Sequence, residues 1–291
     1  RMARIEGHRA RIDARIRAAD LTPPRARLAC ASGPAMAAVL CSLLRQGQAL
    51  VRPGGVPRSA LRRAARMGLL TEDGAGMLVS LGRASASLAA SDERVDEASA
   101  RLFRGWWRGG GWDELLREPD RFRHVRRQPP RTCTTRLRDA LLELLMQLPP
   151  GEFVLEEDVR SVVLEDGRAE ACRAALARGG EVCVASVEAG LDRMLRQSLP
   201  TLGVVDLAEV EAGSVLRLAA HARGWFGQAG ERALDVVPAA AWAGAGRLRI
   251  ETGALLSEVL AIAPFGEVWA RDEGLVAVFD KQSLDDGLLL D

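Results

Sequence analysis

The stretch from Met36 to Arg83 constrains this chain more than any other, because helix and turn signals alternate there in a fixed order. Met36-Ala-Ala-Val-Leu-Cys-Ser-Leu-Leu44 is an apolar helix stopped near Gly47. After a Pro/Gly turn at Arg52-Pro-Gly-Gly-Val-Pro57, the run Ser59 to Met67 predicts a second helix. Gly68 is its expected C-cap, since glycine enters the left-handed region at little steric cost. Leu69-Leu70-Thr71, a turn over Glu72 to Gly76, and Met77 to Leu81 predict two short strands around a Gly-rich loop. Helix, helix and β-wing is the order of a winged helix-turn-helix, which mostly binds nucleic acid or protein. Fold alone does not fix function.

The same order recurs about 130 residues later. Leu137 to Leu148 is a strongly apolar helix ended by Pro149-Pro150-Gly151, and Leu155 to Val163 continues as a short helix. Val187 to Leu199 predicts a third, with Leu191, Met194, Leu195 and Leu199 on one face. Gly203 to Leu207, a turn at Glu211 to Ser214, and Val215 to Leu218 supply strand, turn and strand. Beyond this pair, Arg247 to Ile250 and Gly274 to Phe279 predict strands, with helices over Leu255 to Ile262 and Gln282 to Leu290.

The fold class expected is therefore mainly α (α+β), with tandem winged-helix units and a small C-terminal α/β cap. The parse is an N-terminal helical arm over 1–35, a first winged unit over 36–90 and a Trp/Arg-rich connector over 91–135. A second winged unit over 136–230 and the C-terminal unit over 231–291 complete it.

Charge and composition exclude several classes. Net charge is +1, with 48% hydrophobic and 27% charged residues, so no global pull toward polyanions exists and any nucleic-acid face must be local. No run approaches the 18 to 20 or so apolar residues that cross a bilayer, and no signal peptide is visible. The five cysteines, Cys30, Cys41, Cys133, Cys172 and Cys183, include no CxxC pair, which argues against a disulfide framework or zinc knuckle. His8, His124 and His221 lack metal-ligand spacing. The expectation is a reduced, cytoplasmic protein with no membrane association and no cofactor. Lys281 is the only lysine, so no phosphate-cradling G-x-x-x-x-G-K-[ST] loop exists; G-x-S-x-G and H-E-x-x-H are also missing. No enzyme is expected.

Two features read as binding surfaces. Arg58, Arg62 and Arg66 recur every fourth residue and share one helical face, with Arg63 beside them. Their helix takes the recognition position of the first unit, where basic side chains reach phosphates and base edges. The second is a strap, Arg121-Phe-Arg-His-Val-Arg-Arg-Gln-Pro-Pro-Arg131, in which Arg121, Arg123, Arg126, Arg127 and Arg131 could follow a phosphate backbone. Both also read as solvated arginine segments. Trp106, Trp107 and Trp112 would make a stacking platform if exposed, but Leu102, Leu115 and Leu116 around them point to a packed cluster.

A resemblance rests on an ordered series of segments: W-x-x-x-x-W-D-E-L (Trp107 to Leu115), L-P-P-G-E-F (Leu148 to Phe153) and L-R-Q-S-L-P-T-L-G-V-V-D (Leu195 to Asp206). H-A-R-G-W-F (His221 to Phe226), L-L-S-E-V-L-A-I-A-P-F (Leu255 to Phe265) and F-D-K-Q-S-L-D-D-G (Phe279 to Gly287) follow. Over roughly residues 35 to 291 the chain resembles the helicase-associated, XPB-type N-terminal domain proteins of GC-rich bacteria. The resemblance implies winged-helix modules acting in DNA repair, replication or transcription. It also implies duplex or forked DNA and a helicase or other protein as partners. No helicase motor is present, so ATPase activity does not carry over. The alternative is a protein-interaction scaffold like the tandem winged-helix subunits that bind the kleisin of condensin-like complexes; near-zero net charge favours it, the arginine face favours DNA.

Overall fold

The computed structural model describes residues 26–27, 32–48, 56–84, 93–116, 131–179, 185–226, 240–244, 246–271 and 274–279. These form a mixed α+β protein with two small antiparallel sheets and two compact units. One unit comprises 1–29 with 107–228, the other 30–106 with 229–291. This division departs from the sequence parse: the segment expected as a separate C-terminal cap belongs with the first helices, and the connector is split between the units.

In the unit formed by 30–106 and 229–291, helix α1 (Ser32–Arg45) is the centre. Every residue from Ser32 to Leu43 is buried. Against it pack α2 (Arg58–Met67) and α3 (Glu72–Ala84), and α4 (Val95–Trp107) follows in sequence. The chain returns as β5 (Ala240–Trp242), β6 (Arg247–Glu251), α10 (Leu256–Ile262), β7 (Gly266–Arg271) and β8 (Gly274–Phe279). These strands form an antiparallel sheet of order β5-β6-β8-β7, and α1 packs against β7 and β8. The sequence reading missed β5 and β7. The final helix expected over 282–290 lies outside the described residues.

The wing expected over Leu69 to Leu81 does not exist. Residues 72–84 are helix α3, because Thr71 caps it: the Gly74 N–H donates to Thr71 Oγ1 at 3.1 Å. Glu72 and Asp73 then meet the positive end of the helix dipole. The glycines that suggested a hairpin lie within the helix instead; Gly74 is buried, and a Cβ on Gly76 would make only ordinary contact with Leu61 at 3.5 Å. Gly68 is the C-cap as expected, but not for the left-handed backbone that was its expected reason. Gly68 is right-handed (φ −79°), and the left-handed residue is Leu69 (φ 55°). Gly68 is needed for proximity, since a Cβ there would lie 2.9 Å from Val39 Cγ2 and 3.1 Å from the Ala35 carbonyl oxygen of α1.

In the other unit the first described element is β1 (Ala26–Arg27), within the segment expected as a helical arm, and the unit resumes at Trp107. Its main helix, α5 (Arg131–Gln147), is followed by β2 (Val154–Leu155), α6 (Glu156–Leu164) and α7 (Gly167–Gly179). Next comes α8 (Val187–Arg193), extended by a π-helical turn (Met194–Ser198) and α9 (Leu199–Thr201). The hairpin β3 (Val205–Val210) and β4 (Gly213–Leu218) closes the unit. The sheet order is β1-β3-β4-β2, so the short strand after α5 pairs with the last strand of the hairpin. Leu141, Leu144, Leu145 and Leu148 are all buried, which is the stripe their spacing predicts. Helix α7 was missed: its apolar positions are mostly alanine and define only a faint periodic face.

Candidate nucleic-acid interface

Helix α2 divides cleanly into two faces. Ala60, Ala64, Ala65 and Met67 are buried, and the alanines pack with Val39, Leu43, Ala75 and Val79 in one cluster. Small alanines let α2 lie close to α1, so the long arginines are forced outward. Arg58, Arg62, Arg63 and Arg66 are all exposed. Arg62 Nε lies 3.2 Å from Glu72 Oε2, and Arg63 Nη2 lies 3.5 Å from Glu267 Oε1 on β7. Among the described residues, neither Arg58 nor Arg66 is in an ion pair. The helix starts after Pro57 with no side-chain cap and no acidic residue in its first turn. Its positive dipole end is therefore unopposed.

With 72–84 a helix, the order of helix, helix and wing from which the recognition position of α2 was read is absent from this region. Helix α3 is poorly suited to a groove, since it opens with Glu72 and Asp73 and buries Gly74, Ala75, Met77, Leu78, Val79, Leu81 and Gly82. Of the second candidate, Arg121, Arg123, Arg126 and Arg127 lie outside the described residues, and Arg131 opens α5.

The tryptophan platform is closed. Trp106 and Trp112 are buried, and Phe103 packs 6.2 Å from Trp106, centroid to centroid. Trp107 is half-buried: its indole N–H donates to Asp139 Oδ1 at 2.6 Å, and its ring lies 6.0 Å from Phe226.

Beside Trp112 lies a group of buried charges that sequence reasoning passed over. Arg138 Nη2 donates to Glu114 Oε2 at 2.5 Å and to the Trp112 carbonyl at 2.9 Å, while Ser198 Oγ donates to Glu114 Oε1 at 2.6 Å. Arg193 Nη1 donates to the carbonyls of Glu114 and Leu116. Asp113 Oδ1 accepts from Thr134 Oγ1 at 2.8 Å and from the Leu115 N–H at 3.0 Å. Burial pushes the Asp113 carboxyl above its ordinary range, against the lowering effect of those two hydrogen bonds. The arrangement fastens the 112–116 segment to α5 and the α8 region. Its one hint in the sequence was the pair Asp113-Glu114 inside an otherwise apolar run.

The cysteines fit the same packing. Cys41, Cys133 and Cys172 are free and buried; burial pushes the Cys41 and Cys172 thiols up to about 12, and the neighbouring Cys133 adds to the effect at Cys172. Such thiols are poor nucleophiles. A cavity of about 110 Å³ next to Cys41, Arg45, Arg63 and Glu267 is small beside the 300–1,000 Å³ or so of small-molecule pockets. Among the described residues there is no cluster of three or more His, Cys, Asp or Glu that could hold a metal, and no helix long and apolar enough to cross a membrane.

No family model matches this chain, and neither a curated protein nor a solved structure does so.

Proposed function

We propose that this chain is a non-catalytic DNA-binding accessory module of winged-helix type, acting in DNA repair, replication or transcription. The exposed arginine ladder of α2 is its phosphate-contacting surface. That ladder is the observation that carries the reading. Arg58–Arg62 and Arg62–Arg66 are like-charged i,i+4 pairs, which cost a helix about 0.2–0.5 kcal/mol each. A bound polyanion removes that repulsion and gains the unopposed helix end as well.

The element order of 131–218 supports the winged-helix description: helix, short strand, helices, then a hairpin whose second strand pairs with the short strand. Within that unit the helix preceding the hairpin is not the reader. Its residues Val187, Gly190, Leu191, Met194 and Leu195 are buried, and Arg196 is held by Glu156 at 2.8 Å. Contact therefore falls to α2, as backbone positioning more than base readout.

A second reading, the protein-interaction scaffold, draws on the charge pairing of the same unit. Arg160 pairs with Asp192, Arg168 with Glu143 and Asp166, Arg173 with Glu170 and Glu188, and Arg217 with Asp206. A surface so neutralised has little pull on DNA.

Fluorescence anisotropy with labelled single-stranded, duplex and forked DNA, from low to physiological salt, separates the readings. The DNA reading expects affinity that falls linearly with salt on logarithmic axes. No binding to any of the three at low salt would overturn it and leave the scaffold.

A further inference from the structure

We infer that the outer face of the β5-β6-β8-β7 sheet binds an unpaired nucleic-acid strand, stacking a base on Trp269 with its phosphates held by Arg247 and Arg271. The inference stands on a surface separate from the α2 ladder. Strand pleating sets up the face. Ile250, Val268, Ala270, Leu275 and Ala277 are buried on one side, the side that α1 covers along β7 and β8. Their alternating neighbours point the other way.

The pairing register arranges those neighbours in three rungs. Arg247 pairs across to Val278, and Val278 to Glu267. Arg249 pairs to Val276, and Val276 to Trp269. Glu251 pairs to Gly274, and Gly274 to Arg271. The middle rung thus sets an indole and an isopropyl group side by side, with arginine at its far end. Arg247, Arg249, Arg271 and Val278 are exposed, and Trp269 and Val276 are half-buried. The Arg271 guanidinium carbon lies 5.8 Å from the centre of the Trp269 ring, within cation–π range. Among the described residues both acids on the face are already engaged, Glu251 with Arg249 at 3.1 Å and Glu267 with Arg63 at 3.5 Å. Among the described residues Arg247 and Arg271 are in no ion pair.

Charge and shape choose the occupant. One indole and two valines make too small an apolar area for a protein hot spot, which needs a desolvated core of large side chains. The arginines call for a polyanion. A broad sheet face cannot enter a duplex groove, and paired bases hide the ring faces that stacking needs. An unpaired strand offers both ring faces and phosphates, which is how sheet-based single-strand binders work.

The test uses the full chain and a fluorescein-labelled oligothymidylate of about 20 nucleotides, longer than a single binding site. The wild type is expected to bind at low salt, and Trp269→Ala to weaken binding about 5- to 100-fold, the value of one stacked base. Trp269→Phe keeps a ring and is expected to retain most of the affinity, which separates stacking from a folding defect. Arg247→Ala combined with Arg271→Ala changes only exposed side chains. It should make the slope of log affinity against log salt shallower by about 1.4, at about 0.7 per phosphate for single strands. No oligothymidylate binding by the wild type overturns the inference, as does unchanged affinity in folded Trp269→Ala or an unchanged salt slope in the arginine variant. Each outcome is independent of duplex binding by α2, which is scored with the Arg58, Arg62 and Arg66 variants on duplex DNA.

Discussion

Arg138 and Glu114 form an ion pair at 2.5 Å in which neither side chain is exposed. A pair so buried is held by mutual compensation, because each charge would be unaffordable without the other. Arg138→Met should therefore cost about 3–5 kcal/mol, since it removes one partner of a buried ion pair and leaves the other without it. The double change Glu114→Leu with Arg138→Met should cost less than either single change, as neither charge of the pair is left without its partner. Urea denaturation of the four proteins measures the cycle. Single variants within about 0.5 kcal/mol of the parent would show that the pair is not buried as described.

Gly68 and Leu69 divide two roles that sequence logic assigns to one glycine. Gly68→Ala should be destabilising through the clash with Val39 and the Ala35 carbonyl, although its backbone suits any residue. Leu69→Gly should stabilise the protein by up to about 1 kcal/mol, because Leu69 is exposed and left-handed. Thermal melts of both variants check the signs. A destabilised Leu69→Gly would mean its side chain contributes more packing than its backbone conformation costs.

These two positions show what was legible in the sequence. Long apolar stripes such as Leu141, Leu144, Leu145 and Leu148 announced their helix, since a packing face must repeat with the helical period. The region 69–84 was misread because Gly74 and Gly76 suggest a turn by their letters, whereas Thr71 and the two acids after it start a helix that carries both glycines in its interior. Strands β5 and β7 were missed for a different reason: a short strand gains its identity from partners distant in sequence, such as Trp242 opposite Leu248. The arginine face of α2 was readable from spacing alone, but the helix that follows it in place of a wing was not. Four of the segments that carry the resemblance meet inside the unit of 107–228, with Trp107 beside Phe226, Ser198 donating to Glu114, and Arg223 donating to the Leu148 carbonyl, while Leu255 to Phe265 belongs to the other unit.

Asp113 gives a pH-dependent prediction. Its folded carboxyl titrates above the ordinary value near 3.9, chiefly through burial. The folded state therefore prefers the protonated acid. That contribution to stability is complete below the unfolded value and is lost as pH rises through the folded one. Asp113→Asn keeps an acceptor for Thr134 and the Leu115 N–H but cannot ionise. The melting temperature of Asp113→Asn minus that of the parent should rise from pH 4 toward neutrality and then level off. A difference that stays constant over that window would show that Asp113 does not titrate high.

The ladder of α2 yields the prediction closest to function. If Arg58, Arg62 and Arg66 contact phosphates, replacing all three with alanine removes about three contacts. The slope of log affinity against log salt for duplex DNA should become shallower by about 2 to 3 units, at 0.9 or so per contact. Stability should hardly fall. Arg58 and Arg66 are in no ion pair among the described residues, and the exposed Arg62–Glu72 pair is of the kind that contributes about 0–1 kcal/mol. Alanine also relieves the like-charge repulsion along the face. Arg63 is left in place because its pairing with Glu267 ties α2 to β7, and its loss would mix a structural effect with a binding one. Titration of wild type and triple variant at several salt concentrations, with circular dichroism melts in parallel, makes the measurement. Equal affinities and equal slopes would remove α2 from the interface even if the wild type binds DNA, and would turn the search to the segment from Arg121 to Arg131.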